Sequence, residues 1–163
     1  VKMSSRGRVF YTQVGVGKDG REFTIIKFRT IVENAESNTG AVYTADNDPR
    51  ITKVGKFLRK WRLDETPQLL NVIKGEMSLI GPRPERYVFI KEFEEKIPFY
   101  AQRLAVRPGL TGWAQVKYPY ASSIEQTEEK LQYDLYYIKN MSFILDLVVL
   151  LKTTKVVLFG SGK

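Results

Sequence analysis

Two runs of largely apolar positions lie within the first thirty residues of the chain. Val9 to Val16 alternates imperfectly, and Glu22 to Phe28 resumes a run rich in β-branched and aromatic side chains. Lys18-Asp19-Gly20 stands between the two runs, and Asp-Gly flanked by β-prone segments is a good hairpin signal. The pattern predicts an antiparallel hairpin here.

The spacing of apolar positions then changes to that of a helix. Within Ile51 to Arg62, apolar side chains recur every three or four residues among five cations, at Val54, Phe57, Leu58 and Trp61. This pattern predicts a basic amphipathic helix. Its apolar stripe could pack on a core, while its cationic rim is almost equally consistent with a membrane surface or a bound substrate.

The rest of the chain contains further helical patterns and little strand. We predict a short helix and a loop within Ile31 to Asn47, a strand over Thr111 to Val116, and helices over Glu65 to Lys74, Pro84 to Lys96, Ile124 to Lys139 and from Ser142 onwards. The expected fold is a single α/β (α+β) domain over residues 1–163, mostly helical with a small hairpin or sheet.

Composition removes several classes of site. The chain has no cysteine and no histidine, which excludes Ser-His-Asp and Cys-His catalysis as well as zinc sites built on imidazole or thiolate. Any catalysis must use carboxylates, cations, Tyr, Ser or Thr. Any metal ion must be held by oxygen atoms, most simply Mg²⁺ together with phosphates.

Charge is unevenly distributed. The formal net charge is +8, and residues 1–63 hold 13 Lys and Arg against 6 Asp and Glu, whereas the remainder holds 13 against 12. A basic first third indicates an anionic partner, which could be a nucleotide, a nucleic acid or lipid headgroups. The most apolar segment, Met141 to Phe159, is interrupted by Asp146, Lys152 and Lys155, so it predicts a packed helix or one on a membrane surface.

Asp64 and Glu65 stand at the start of a predicted helix. The positive end of a helix attracts anions, so we expect Asp64 to cap the helix and to stay ionised below its reference pKa of about 3.9. Ionised Asp can attack phosphorus, and Glu65 could hold Mg²⁺. The alternative is purely structural, with Asp64 as a helix cap and Glu65 as a favourable charge in the first turn.

Several cations lie on stiff backbone. Arg83 stands between Pro82 and Pro84, and Arg107 precedes Pro108-Gly109. Proline restricts its neighbours, so a guanidinium there loses little entropy on binding phosphate. Lys27 and Arg29 end the predicted hairpin and Arg50 follows Asp48-Pro49. Together these cations indicate a diphosphate-binding site.

Six segments have a distinctive sequence: Lys27–Thr30, Asp48–Thr52, Leu63–Val72, Gly75–Glu85, Arg107–Gly112 and Tyr133–Ile138. Together they resemble the bacterial sugar transferase family. These are the monotopic polyprenyl-phosphate phosphoglycosyl transferases that prime surface-polysaccharide synthesis. Trp113–Val116 and Leu131–Phe159 are most similar to the exopolysaccharide-priming branch. The resemblance covers nearly the whole chain in the family's order.

The resemblance implies a two-step transfer on the cytoplasmic face of the bacterial inner membrane. Asp64 would attack the β-phosphate of a UDP-sugar, forming a covalent phosphosugar and releasing UMP, and polyprenyl phosphate would then take up the sugar phosphate. Asp64 and Glu65 would bind Mg²⁺, and Glu65, as the second catalytic acid, could also take part in proton transfer. The residues expected to bind substrate are Lys27, Arg29, Arg50, Arg59, Gln68, Arg83 and Arg107.

The sequence departs from the family pattern at Gly7-Arg8, where Gly-Pro is usual, and at Gly15, where Arg is usual. The family's re-entrant membrane helix is not found, so we expect this chain to be a fragment of a longer membrane protein. Two other functions remain open, a nucleic-acid-binding module and a non-catalytic membrane-surface adaptor. The preferred interpretation has a UDP-sugar, polyprenyl phosphate and a membrane surface as partners and no nucleic acid.

Overall fold

The computed structural model describes residues 1–2, 4–33, 35, 48–118, 121 and 123–158. The strands are β1 (Phe10–Val16), β2 (Glu22–Phe28), β3 (Ser78–Ile80) and β4 (Gly109–Thr111). The α-helices are α1 (Lys53–Lys60), α2 (Leu69–Ile73), α3 (Tyr87–Lys96), α4 (Trp113–Lys117), α5 (Ile124–Lys139) and α6 (Phe143–Leu158). Two six-residue 3₁₀ helices cover Leu63–Gln68 and Tyr100–Ala105. The predicted mixed, mostly helical fold is confirmed, whereas most of the segment 31–47 lies outside the described residues.

The predicted hairpin is confirmed. β1 and β2 pair antiparallel, with Phe10 opposite Phe28 and Val16 opposite Glu22. Asp19 and Gly20 in the connection have φ values of 56° and 76°, a left-handed conformation that Asp and Gly tolerate well.

Helix α1 is shorter than predicted and packs closely on the strand end. The Thr52 hydroxyl accepts a hydrogen bond from the Gly55 amide at 2.9 Å and caps the helix. Gly55 is buried, and a Cβ there would clash with the Thr30 carbonyl. Phe57 is exposed whereas Val54 and Leu58 are half-buried, so only part of the predicted stripe faces the protein.

The helix predicted over 65–74 is instead a 3₁₀ helix followed by α2. The 3₁₀ helix begins after Arg62, which has a φ of 53°, so the prediction that Asp64 is the cap is wrong. Asn71 of α2 is fully buried, and it donates to the Thr24 carbonyl at 2.7 Å. This bond fixes the helical segment against the hairpin, and the predicted stop at Gly75, with a φ of 79°, is confirmed.

The strand predicted over 111–116 is wrong. Gly109–Thr111 forms a short strand that pairs parallel with β3, and Trp113–Lys117 is helical. A Cβ on Gly109 would meet the backbone of Gly81, so these two segments approach at main-chain contact. Trp113 and Val116 favour strands on propensity alone, but tertiary packing overrides so weak a preference.

Two apolar clusters hold the helices together. One contains Val16, Ile90, Phe93, Ile97, Tyr100 and Leu131. The other contains Ile80, Tyr137 and Val149. Helix α6 therefore packs through Val149, while residues such as Phe143 on its other side are exposed. None of the helices in the described part of the chain is long and apolar enough to cross a membrane.

Candidate active site

Glu65 is a buried carboxylate surrounded by three cations. Its exposed fraction is 7%. Lys27 Nζ lies 3.3 Å from Oε1, Arg62 Nη1 lies 3.8 Å from Oε2, and the Arg83 guanidinium donates to both oxygens, at 3.2 Å for Nη1 to Oε2. Burial opposes ionisation of Glu65, but the charges of Arg83 and Lys27 outweigh it and hold its pKa far below the usual range.

Asp64 has the opposite environment, although it is the adjacent residue. It is half-buried, and no hydrogen bond or ion pair within the described residues engages its carboxylate. Burial raises the pKa of Asp64, and the negative charge of Glu65 raises it further, against the opposing charges of Lys27, Arg59 and Arg83. The prediction that a helix end keeps this pKa below its reference value is therefore wrong, because desolvation and the neighbouring charge dominate.

The loop that carries Arg83 is held from several sides. The Pro82 carbonyl accepts from the Gly109 amide at 2.8 Å, and the Arg83 carbonyl accepts from Arg103 Nη2 at 2.8 Å. Arg103 is itself buried and paired with Asp134 Oδ2, also at 2.8 Å. The backbone that positions the Arg83 guanidinium is thus fixed by a second, deeper ion pair.

The structure brings together only some of the predicted substrate-binding residues. Lys27 and Arg83 contact Glu65, and Arg59 acts electrostatically on Asp64 while donating to the Thr30 hydroxyl at 3.0 Å. Gln68 is buried in the same 3₁₀ helix. These residues lie in or beside the segment that contains both carboxylates.

The remaining predicted cations make other contacts or lie at the surface in this structure. Arg29 is buried and donates to the Arg8 carbonyl and the Ser5 hydroxyl, each at 2.6 Å, so it secures the N-terminal segment. Arg50 is hydrogen-bonded to Asp48, which lowers the Asp48 pKa to about 2. The Arg107 side chain is exposed, and its role as a substrate ligand stays a prediction.

Sequence reasoning missed Arg62, Arg103 and Asp134 as parts of the site. Arg62 directly precedes the 3₁₀ helix, and its left-handed backbone was not foreseen for a non-glycine residue. Arg103 and Asp134 are 31 residues apart and meet only in the folded chain. In the structure, Arg103 is 3% exposed and Asp134 is 2% exposed. Charged residues are almost never fully buried unless they are paired, so this burial is the signal that identifies the pair.

The donor set limits how a metal ion could bind. Within the described residues, no group of three or more Asp, Glu, His or Cys could hold one. Mg²⁺ does not need such a group, because it commonly binds one or two carboxylates together with waters and substrate phosphates. Asp64 fits that requirement best, since the oxygens of Glu65 already accept from Arg83 and Lys27.

The sequence matches the bacterial sugar transferase family over residues 1–160. It is 49% identical, over 99% of its length and 38% of the relative's, to UDP-N-acetylgalactosamine-undecaprenyl-phosphate N-acetylgalactosaminephosphotransferase of Aeromonas hydrophila. It is 42% identical to UDP-glucose:undecaprenyl-phosphate glucose-1-phosphate transferase of Xanthomonas campestris pv. campestris, over 94% and 32% of the two lengths. An uncharacterized sugar transferase of Bacillus subtilis, EpsL, is 40% identical over 99% and 76%. The chain spans about a third of the first two relatives.

Proposed function

The chain belongs to the bacterial sugar transferase family, and on this premise we propose that it transfers a sugar 1-phosphate from a UDP-sugar to undecaprenyl phosphate. Relatives at 49% and 42% identity are named for this kind of reaction. The products are UMP and an undecaprenyl-diphosphate sugar, which would prime the synthesis of a surface glycan. The nucleic-acid-binding and adaptor alternatives have no comparable support.

The contrast between Asp64 and Glu65 is the observation that supports this chemistry most strongly. Glu65 is held by Arg83, Lys27 and Arg62 and is poorly available to react. The Asp64 carboxylate has no such contacts among the described residues and lies within the field of three cations. A nucleophile must be accessible and ionised, and cations near it favour an approaching diphosphate.

The first step forms a covalent intermediate. An Asp64 oxygen bonds to the β-phosphorus while the bond from that phosphorus to the bridging oxygen breaks, and UMP leaves with this oxygen. A phosphate oxygen of the acceptor then attacks the same phosphorus, and the Asp64 carboxylate departs. Arg83 and Lys27 would stabilise the negative charge on the phosphoryl oxygens in both steps.

Mg²⁺ would be held mainly by Asp64 and the diphosphate, with Glu65 contributing if one of its cations moves to the substrate. When bound, it would neutralise diphosphate charge and assist the leaving group. Glu65 would meanwhile keep Arg83, Lys27 and Arg62 converged on the segment that contains Asp64. This positioning role follows from its contacts and does not require proton transfer.

Mass spectrometry of the protein after exposure to a UDP-sugar and Mg²⁺, without the acceptor, tests the proposal. We expect the mass to increase by one phosphosugar group, with the modification mapped to Asp64 and one equivalent of UMP released. Asp64→Asn should form no adduct, whereas the matched variant Asp19→Asn should form it normally, because Asn tolerates the left-handed conformation of that exposed turn. An adduct on Asp64→Asn, or turnover without any adduct, would overturn the mechanism.

A further inference from the structure

An apolar cleft is lined in part by Glu65. Its volume is about 250 Å³, and it lies between the 3₁₀ helix that contains Asp64, the β3–β4 pair, and helices α4 and α6. Its apolar lining includes Trp61, Leu79, Leu110 and Val157. Two threonine hydroxyls in the lining, on Thr111 and Thr153, hydrogen-bond to each other at 2.7 Å. The cleft is therefore suited to hydrocarbon.

Part of the lining of this cleft is shared with the candidate active site. Leu63, Glu65 and Thr66 line it, and Asp64 stands between the first two in the chain. Arg62 lines it as well and is one of the three cations around Glu65. A ligand with an anionic head and an apolar chain could thus place its head near the cations and its chain in the cleft.

We propose that this cleft binds the first isoprene units of the polyprenyl phosphate acceptor, next to its phosphate. The inference rests on the proposed function, which supplies an acceptor with this shape. A cavity of 150 Å³ holds benzene, so 250 Å³ accommodates roughly ten carbons, or about two isoprene units. Leu63 and Leu150 at the cleft are partly exposed, so a longer chain can continue outwards over an apolar surface.

Tryptophan fluorescence provides a direct binding test. Trp61 lines the cleft and the chain has one other tryptophan, Trp113, so a Trp113→Phe background isolates the reporter. The probes are isoprenyl phosphates of one to four isoprene units, added below their micelle-forming concentrations in detergent-free buffer. We expect affinity to rise at least about tenfold from one unit to two and to change little beyond three. Inorganic phosphate alone should leave the Trp61 emission unchanged.

A matched pair of surface leucines completes the test. Leu79 lines the cleft and is 48% exposed, whereas Leu147 on α6 does not line it and is 46% exposed. Leu79→Gln should weaken binding of the two-unit phosphate by about tenfold, and Leu147→Gln should not. Equal effects of the two variants, or affinity independent of chain length, would overturn the proposal. Trp61 fluorescence that no probe changes would also overturn the proposal, and it is the result expected if another protein segment or a second copy covers the cleft.

These measurements use no UDP-sugar, so they separate two possible failures. Chain-length-dependent binding without any Asp64 adduct would contradict the proposed function while leaving the cleft as a site for isoprenyl phosphates. An Asp64 adduct together with chain-length-independent binding would contradict only the assignment of the cleft.

Discussion

At the residue scale, the site depends on two adjacent carboxylates with opposite environments. Glu65 is buried, ionised and fully engaged by cations, whereas Asp64 is half-buried and its pKa is raised first by burial and then by Glu65. The fold thus stabilises the ionised form of Glu65 and disfavours the ionised form of Asp64. Such a cost is common at functional sites, where reactivity is often opposed to stability.

This difference predicts that removing the Asp64 charge stabilises the protein. The folded-state pKa is raised, so ionised Asp64 opposes folding above that pKa, and the cost disappears below the unfolded-state pKa, where both states are protonated. Asp64→Asn should therefore increase Tm at neutral pH by about 2–4 °C, with the gain shrinking as pH falls through both values.

Thermal unfolding across a pH series measures this effect. Asp19→Asn, in an exposed turn, is the control and should change Tm little at any pH. A lower Tm for Asp64→Asn at neutral pH would show that the Asp64 charge is net stabilising, against the expectation.

At the scale of elements, the Arg83 loop is fixed by contacts from helices distant in sequence. Arg103 of the second 3₁₀ helix and Asp134 of α5 form the buried pair whose guanidinium also holds the Arg83 carbonyl. Glu85 in the same loop pairs with Lys130 of α5 at 2.9 Å. The geometry at Glu65 therefore depends on how α5 packs.

Breaking the buried pair should be costly. Asp134→Asn leaves the Arg103 charge buried without its partner, which typically costs about 3–5 kcal/mol of unfolding free energy. Glu128→Gln on the same helix replaces an exposed residue and should change stability by less than about 0.5 kcal/mol. Denaturant titration of both variants checks this, and a loss below about 1 kcal/mol for Asp134→Asn would mean that Arg103 is satisfied without it.

The elements that the sequence predicted well are those with long local signals. The hairpin and α5 have sustained periodicity and clear turn or cap residues, and α5 was placed with its observed bounds. β3 and β4 are three residues each, which is too short for an alternating pattern. The sequence therefore predicted the strand in the neighbouring segment, where the structure has helix α4. Cations on stiff backbone identified Arg83 and Lys27, but Arg29 has the same local signal and turned out to hold the N-terminal segment.

At the scale of the whole molecule, exposed basic and apolar side chains occur together on α1, and exposed apolar side chains continue on α6. Lys53, Lys56 and Lys60 of α1 are exposed together with Phe57. The residue after α1, Trp61, lines the cleft, as do residues of α6. Helix α6 adds exposed side chains such as Phe143, at 83%. Cations beside apolar side chains are typical of surfaces that bind anionic membranes.

This arrangement predicts salt-sensitive binding to anionic vesicles. Lys56→Gln should weaken sedimentation with phosphatidylglycerol-containing vesicles by about fivefold at low salt, because one cation near such a surface contributes about 1 kcal/mol. Lys18→Gln, in the hairpin turn, should bind like the parent chain. If both variants lose the same affinity, the attraction reflects net charge and not this surface.

The parallel pairing of β3 with β4 also affects the order in which the protein assembles. Ser78 must meet Gly109 across about thirty intervening residues, and contacts so distant in sequence form later than hairpins and helices. Arg83 lies three residues after the end of β3, and the Pro82 carbonyl accepts a hydrogen bond from the Gly109 amide. On the ribosome, a nascent chain would therefore acquire its hairpin well before its cations converge on Glu65, because Gly109 and then α5 must emerge and dock before the Arg83 loop is held.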